Sequence, residues 1–331
     1  MTNFVRVMTS ISQIQKQLEP ELQAMNRIIN GSLLTDNEMM NRIVTHYLEV
    51  KGKQIRPLLV ILSAKMFGTV TEEVLCAGAA LEILHNASLI HDDIVDETGL
   101  RRGRATINAT MGNHVAVLVG DYFVSNSLSV GIRSRNLSVI TALSNLGREL
   151  SLGEIDQITN VRERRLDTAS YFNTIRQKTA SLFMSCVRMG LETGGAPQEY
   201  IEPMVRYAEL LGLCFQIKDD IFDYYPNPQI GKPTGNDLRE GKVSLPLLYA
   251  LAQAPEAESA SMKALLERGS LTTAEIDTLV DFAKSHGGIE AAYDCMRDMQ
   301  KEADAVIAPM PASDSKDAFR AIFDYIIARD R

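Results

Sequence analysis

The chain has 331 residues, 45% of them hydrophobic, and 34 Lys+Arg stand against 42 Asp+Glu for a formal net charge of −8. That acidic balance excludes a protein that holds nucleic acid by neutralising phosphates. The four cysteines, Cys76, Cys186, Cys214 and Cys295, form no CxxC pair and are too few for a disulfide scaffold, so they are expected as small apolar residues in a reducing cytosol.

In chain order, helical spacing of apolar residues predicts helices over 2–29, 36–50, 54–67, 71–96, 113–131, 136–160, 167–192, 197–224, 242–253, 258–268, 272–285, 288–306 and 314–329. The segment opening MTNFVRVMTS has no apolar run before a small-residue cleavage site, and no window reaches the ~18 consecutive apolar residues of a membrane span. A cytoplasmic protein without a transmembrane segment is expected. Thr71-Glu72-Glu73 is a helix start with acidic residues in the first turn. The run 74–90, VLCAGAALEILHNASLI, is apolar on nearly every side and belongs at the centre of a bundle. Gly, Pro and Asn cluster in two breaks, 97–112 and 225–241. No Gly-rich phosphate loop and no low-complexity linker interrupts the pattern. The expectation is an all-α protein with one large domain over 1–331, although about 150 residues per domain would favour two.

Two acidic motifs share one phase. His91-Asp92-Asp93-Ile94-Val95-Asp96 and Lys218-Asp219-Asp220-Ile221-Phe222-Asp223 both read Asp-Asp-apolar-apolar-Asp. Residues i and i+4 of a helix are neighbours, so Asp92 and Asp96 share a face, as do Asp219 and Asp223. Paired carboxylates suit a hard divalent cation, Mg²⁺ above all, which binds through one or two carboxylates, substrate phosphates and water. A single such motif would be read as a solvated acidic patch. Two of them on long apolar helices, each with three mutually repelling carboxylates, call for compensating cations. Basic residues accompany each motif: Lys53 and Arg56 at i, i+3, Arg101 and Arg102 after a short loop, Lys178 beside Thr179, then Lys232 and Lys242. Each alone reads as surface. Together they outline two anion sites beside a metal cluster, with Arg suited to bidentate phosphate contact. His85 lies two turns before Asp92, and Gln216 precedes the second motif on the same helix.

The segments GKQIRP, HNASLIHDDIVDETGLRRGRAT, VGDYF, KTASLF, FQIKDDIFDY and GKPTGNDLREGKVSLPLL resemble the signatures of the trans-isoprenyl diphosphate synthase family, in its order. The resemblance spans roughly residues 20–331 and is strongest to long-chain bacterial enzymes of the octaprenyl type, down to an Ala-Arg-Asp-Arg ending. It implies a helical bundle of the isoprenoid synthase type with a central cavity and 1′-4 condensation of isopentenyl diphosphate with an allylic diphosphate, farnesyl or geranylgeranyl. It also implies Mg²⁺, up to three per site, held by Asp92, Asp93, Asp96, Asp219, Asp220 and Asp223. Arg101, Lys178, Thr179, Gln216, Lys232 and Lys242 then match contacts to the allylic diphosphate, and Lys53, Arg56, His85 and Arg102 contacts to isopentenyl diphosphate. Asp92, Asp93, Asp96, Lys178, Thr179 and Asp219 are the implied catalytic set. A homodimer, release of product at a membrane surface and a quinone side chain as its fate complete what the family implies. Gln54 and Asn236 depart from the pattern, standing where many members carry a basic residue and an Asp.

Product length is expected from Ala87 and Ser88, five and four positions before Asp92 and about 6 Å back along the axis at 1.5 Å per residue. Short-chain relatives carry a bulky aromatic there, and small residues leave a channel open. Three alternatives are weighed. A class I terpene cyclase would carry an Asn/Asp, Ser/Thr, Glu triad at its second metal site, which Lys218–Asp223 does not resemble. A short-chain farnesyl or geranylgeranyl synthase disagrees with Ala87 and Ser88. A non-catalytic subunit of a two-component synthase would lose its aspartate motifs, and both are intact here.

Overall fold

The computed structural model describes residues 10–50, 52–226 and 234–329. Its helices in chain order are α1 Ile11–Gln17, α2 Glu19–Leu33, α3 Glu38–Leu48, α4 Ile55–Phe67, α5 Glu72–Val95, α6 Ile107–Met111, α7 Asn113–Arg133, α8 Leu137–Glu163 and α9 Thr168–Ile175. After a π-helical turn at Arg176–Ala180 follow α10 Ser181–Thr193, α11 Gln198–Asp223, α12 Asn236–Arg239, α13 Leu245–Gln253, α14 Glu256–Leu266, α15 Thr273–Ser285, α16 Gly288–Ile307 and α17 Asp314–Ala328. The strands described are β1 Leu100–Arg101 and β2 Arg104–Ala105, which pair antiparallel. The all-α expectation holds.

Four local differences from the expected helices have physical causes. The segment 2–29 breaks at Leu18, because Pro20 stands in the first turn of α2 where it has no N–H to offer a preceding carbonyl; residues 1–9 lie outside the description. The break at 97–112 contains the β1–β2 hairpin and α6. Arg102 and Gly103, at φ 52° and 76°, are its two loop residues, and two successive left-handed residues give the tight turn that matches strand twist. The helix expected over 167–192 is interrupted by the π turn. The break at 225–241 contains α12, while 227–233 lie outside the described residues.

The fold comprises two compact units. The first takes the described residues of Met1–Arg148 with Leu182–Val205 and Pro309–Ile322; the second takes those of Glu149–Ser181, Arg206–Ala308 and Phe323–Arg331. In the first, α5 is the central rod. Ala77, Ala79, Ala80 and Ile83 are fully buried, as are Leu58, Leu59, Val60 and Ile61 of α4. Each such large aliphatic side chain contributes about 1.5–3 kcal/mol relative to exposure. Helices α5 and α7 are both long and apolar enough to cross a membrane, but 72% of the most apolar window of α5 is buried in the protein against 39% for α7. The first figure is that of a core helix. The second leaves Leu118, Leu128 and Ile132 of α7 exposed.

In the second unit Tyr207, Ile217, Ile221 and Tyr224 of α11 and the turn after it are buried. The π turn is seated against α8 at Gly153. A Cβ there would stand 2.8 Å from the Lys178 amide nitrogen and 2.9 Å from the Gln177 Cβ, so only glycine lets the two backbones approach this closely. Gly153→Ala should therefore push the π turn away from α8. Overpacking of this kind costs roughly 1–3 kcal/mol, so thermal unfolding should show a Tm lower by a few degrees; an unchanged Tm would mean that the turn moves without cost.

Candidate active site

In the first unit the three aspartates of the first motif occupy the end of α5. Asp92 and Asp93 lie in its last turn and Asp96 caps it, donating its backbone N–H to the Asp92 carbonyl at 2.8 Å. The negative end of the helix dipole points at this cluster, so position itself is adverse to carboxylates. Arg101, delivered by β1, offsets part of it: its Nε and Nη2 stand 2.8 and 2.7 Å from Asp93 Oδ1, and the Asp93 side chain is buried. The hairpin turn sends the next residue elsewhere. Arg102 donates from Nη1 to the Val50 carbonyl at 3.2 Å, and its guanidinium packs against Gly52, where a Cβ would meet Nη2 at 3.1 Å.

Arg56, Arg102 and His85 are brought into one electrostatic neighbourhood. His85 is buried; burial first, then the charges of Arg56, Arg102 and Arg101, hold its imidazole well below its ordinary pKa. It is a neutral hydrogen-bonding group among guanidiniums. Arg56 also lies over the Phe183 ring at 5.6 Å. Glu82, one turn before His85, was missed by sequence reasoning: burial pushes its carboxyl up, opposed by the charges of Arg56 and Arg102. Lys53 is exposed just before α4, its carbonyl accepting from Gln15 Nε2 at 2.7 Å. Gln54, the residue that departs from the family pattern, adopts left-handed φ 49° and donates from Nε2 to Asn26 Oδ1 at 3.1 Å. Ala87 is fully buried, and Ser88 turns its hydroxyl to the His85 carbonyl at 2.9 Å.

In the second unit a cavity of about 240 Å³ is lined by Lys178, Thr179, Gln216, Asp220 and Lys242, five of the expected site residues. A polar chain crosses it. Thr179 Oγ1 donates to Gln216 Oε1 at 2.7 Å, Gln216 Nε2 donates to Asp220 Oδ1 at 2.8 Å, and the Tyr171 hydroxyl donates to Asp220 Oδ2 at 2.6 Å. Both Asp220 oxygens are thus engaged by protein donors. Burial, and then the neighbouring charge of Asp237, push its carboxyl well above the carboxylate range, with Tyr171 and Gln216 opposing. The Lys178 ammonium sits 2.5 Å from Glu154 Oε2 and 3.3 Å from Gln157 Oε1. Lys242 turns its ammonium to Glu240 at 2.6 Å. Lys232 lies outside the described residues.

The other two aspartates of this motif face elsewhere. Asp223, last residue of α11, accepts the backbone N–H groups of Asn236 and Asp237 at 3.0 Å each. Asp219 Oδ1 accepts from Arg329 Nη2 at 2.6 Å. Arg329, 110 positions away, is held by the Phe215 carbonyl at 3.0 Å and by the Phe215 and Phe222 rings at 4.3 and 5.4 Å, with a side chain only 9% exposed. Tyr171, Asp237, Glu154 and Arg329 are further residues that sequence reasoning missed. Two signals were available: the acidic residues of the segment NDLREGK, which include Asp237, and the Ala-Arg-Asp-Arg ending, which contains Arg329.

The donor chemistry fits a hard divalent cation, since both clusters present carboxylate oxygens and no soft ligand. Among the described residues no three acidic, His or Cys side chains converge as a closed cage.

The sequence model described as Polyprenyl synthetase matches residues 37–283. The octaprenyl diphosphate synthase of Haemophilus influenzae is 32% identical over 310 residues, 93% of this chain and 94% of that one. The solved structure of a polyprenyl synthase from Caulobacter crescentus CB15, complexed with calcium and isoprenyl diphosphate, superposes with a TM-score of 0.90 at 29% identity, covering 98% of this chain and 99% of that one. A geranylgeranyl pyrophosphate synthase from Bacteroides thetaiotaomicron gives 0.83 at 36% identity, covering 96% and 99%.

Two outcomes follow from this geometry. Unfolding frees His85 to take a proton near its ordinary 6.5, which the native state refuses, so the unfolded chain binds more protons below that pH and stability falls on acidification. His85→Asn should flatten the dependence of Tm on pH between about 6.5 and 5, and an unchanged slope would show that His85 does not carry it. Arg329→Gln should tighten Mn²⁺ binding, read by calorimetry or electron paramagnetic resonance, by roughly two- to thirteenfold, the range implied by about 0.5–1.5 kcal/mol of competing interaction. Equal or weaker Mn²⁺ affinity would mean that the guanidinium does not compete for Asp219.

Proposed function

This chain belongs to the polyprenyl synthetase family and is a prenyltransferase, and from that membership we propose that it makes a long-chain all-trans polyprenyl diphosphate by successive condensation of isopentenyl diphosphate onto an allylic primer. The observation that carries the reading is the pair of aspartate clusters at helix C-termini, each accompanied by basic side chains. The whole chain is read as one synthase domain, and each unit carries one of the two clusters.

Arg101, Lys178, Lys232 and Lys242 bind the allylic diphosphate and stabilise the charge that grows on it as the C–O bond breaks. Asp92, Asp93 and Asp96, with Asp219, Asp220 and Asp223, would hold Mg²⁺, which when bound supplies further neutralisation of the leaving group. The hydrogen-bonded Asp220 serves that role through position, fixed by Tyr171 and Gln216. Thr179 and Gln216, hydrogen-bonded to each other, contribute oxygen dipoles near the developing allylic cation. Lys53, Arg56 and Arg102 hold isopentenyl diphosphate by charge, and neutral His85 by a hydrogen bond, so that its double bond meets the cation. The departing diphosphate takes the proton lost from the new chain, and no side-chain base is needed. Apolar helix walls keep out water that would quench the cation.

Small Ala87 and Ser88 favour a long product, of the class consumed in quinone side-chain attachment. The 36% identity to the Bacteroides enzyme favours a second reading, a geranylgeranyl-length product. The exposed apolar side chains of α7 support a homodimer, and free thiols at all four cysteines support a cytosolic location. The purified chain, given isopentenyl and farnesyl diphosphates with Mg²⁺, should elongate without any second protein, and failure to elongate would remove the reading. Product chromatography should show chains well beyond 20 carbons for the natural chain and farnesyl or geranylgeranyl length for Ala87→Phe. An unchanged length in the variant would free Ala87 of any part in the channel.

A further inference from the structure

The π turn at Arg176–Ala180 has a closing bond from the Ser181 N–H to the Arg176 carbonyl, five positions back. An α-helix would send that N–H to the Gln177 carbonyl instead. Here the Gln177 carbonyl accepts the Ser181 hydroxyl, at 2.5 Å. Ser181 thus serves two carbonyls, Arg176 with its amide and Gln177 with its side chain, and it is buried beside Ala180. The start of the turn is tied by charge. Arg176 donates from Nε to Glu209 Oε1 at 2.6 Å, Arg206 Nη1 meets Glu209 Oε2 at 2.7 Å, and Arg206 Nε meets Glu302 at 2.8 Å. The Glu209 side chain, at the centre of this chain of pairs, is only 13% exposed. Burial works against its charge, yet Arg206 and Arg176 hold its carboxyl below the ordinary carboxylate range. All of these residues belong to the second unit.

A wide turn accommodates one residue more than an α-helical turn, and backbone energetics alone would let it sit at any of several neighbouring positions. Moving it by one position rotates each residue it passes by about 100°, at 3.6 residues per turn. Lys178 and Thr179 lie in its middle. Its placement therefore decides whether Thr179 reaches Gln216, 2.7 Å away, and whether Lys178 faces the cavity. We propose that Ser181 and Glu209 are positioning residues, which pin the wide turn at Arg176–Ala180 and so hold Lys178 and Thr179 toward the allylic substrate. Neither is on the cavity lining, so each acts through the turn. The hydroxyl of Ser181 fixes where the turn ends, and the carboxylate of Glu209 fixes the residue whose carbonyl closes it. The effect on substrate rests on the reaction proposed above, whereas the pinning itself does not.

Ser181→Ala separates positioning from stability. It keeps the backbone N–H and loses the hydroxyl, so the amide of residue 181 should return to the Gln177 carbonyl and the wide turn should move. A crystal structure of the variant reads that bond directly. Alanine is the better helix former, so Tm should not fall. Function should divide by substrate: the KM for farnesyl diphosphate should rise, and kcat should drop by roughly tenfold or more, because a misplacement of about 1 Å can cost up to a hundredfold. The KM for isopentenyl diphosphate should stay as it is. Ser181→Thr, whose hydroxyl reaches the same carbonyl, should restore both values. Glu209→Gln, which keeps the shape and loses the charge, should divide the two substrates in the same direction as Ser181→Ala. An alanine variant that still bonds residue 181 to the Arg176 carbonyl would overturn the proposal. So would a lower Tm with unchanged kinetics, an equal loss for both substrates, or a threonine variant that restores nothing. If the natural chain never condenses substrates but the turn moves in Ser181→Ala and returns in Ser181→Thr, the proposed reaction falls and the pinning stands.

Discussion

Six carboxylates placed at the negative ends of two helix dipoles set the terms for the rest of this protein. Asp92, Asp93 and Asp96 close α5, and Asp219, Asp220 and Asp223 close α11. A carboxylate at a helix C-terminus is disfavoured by the dipole, and its neighbours add like-charge repulsion. The structure answers with internal counter-charge. Arg101 meets Asp93, Arg329 meets Asp219, and the first amides of α12 meet Asp223. These partners are partial by nature, because each neutralises one group and leaves the cluster acidic. These partners keep the clusters tolerable at the helix ends.

Holding such clusters requires rigid helices behind them. Buried Ala77–Ala80 on α5 and Ile217, Ile221 and Tyr224 at the end of α11 anchor each acidic terminus on an apolar shaft. Local backbone exceptions then aim the cations. The left-handed Arg102 turns the hairpin so that Arg101 and Arg102 point to different partners. The π turn at Arg176–Ala180 puts Lys178 and Thr179 on one cavity lining, where a continuous α-helix would rotate them by its own period. Such departures from regular geometry cost on the order of 1–3 kcal/mol each and persist only where surrounding packing fixes them, as Gly153 does for the π turn.

Much of this was legible in the chain. Helical periodicity located the long helices, and the i, i+4 spacing of aspartates named both clusters, because these signals are local. What escaped was non-local or conformational. Arg329 reaches Asp219 across 110 positions and Tyr171 reaches Asp220 across 49, so no spacing rule links them. The break at Leu18 was signalled by Pro20 and overridden by a strong apolar period. The π turn has no composition of its own, since RQKTA would serve equally in an α-helix. Glu82 reads as one more polar residue until its burial beside Arg56 and Arg102 is known.

Net charge is the property most altered by this reading. A balance of −8 describes the chain as repelling anions, and for a polyanion sampling the whole surface that holds. A small diphosphate samples a site a few ångströms across, within a Debye length of about 8–10 Å at physiological salt, and is governed by what lies there. At that scale the local pairings decide what an anion meets: Arg101 stands against Asp93 and Arg329 against Asp219, so the charge at each helix end is set by partners a few ångströms away and not by the chain total.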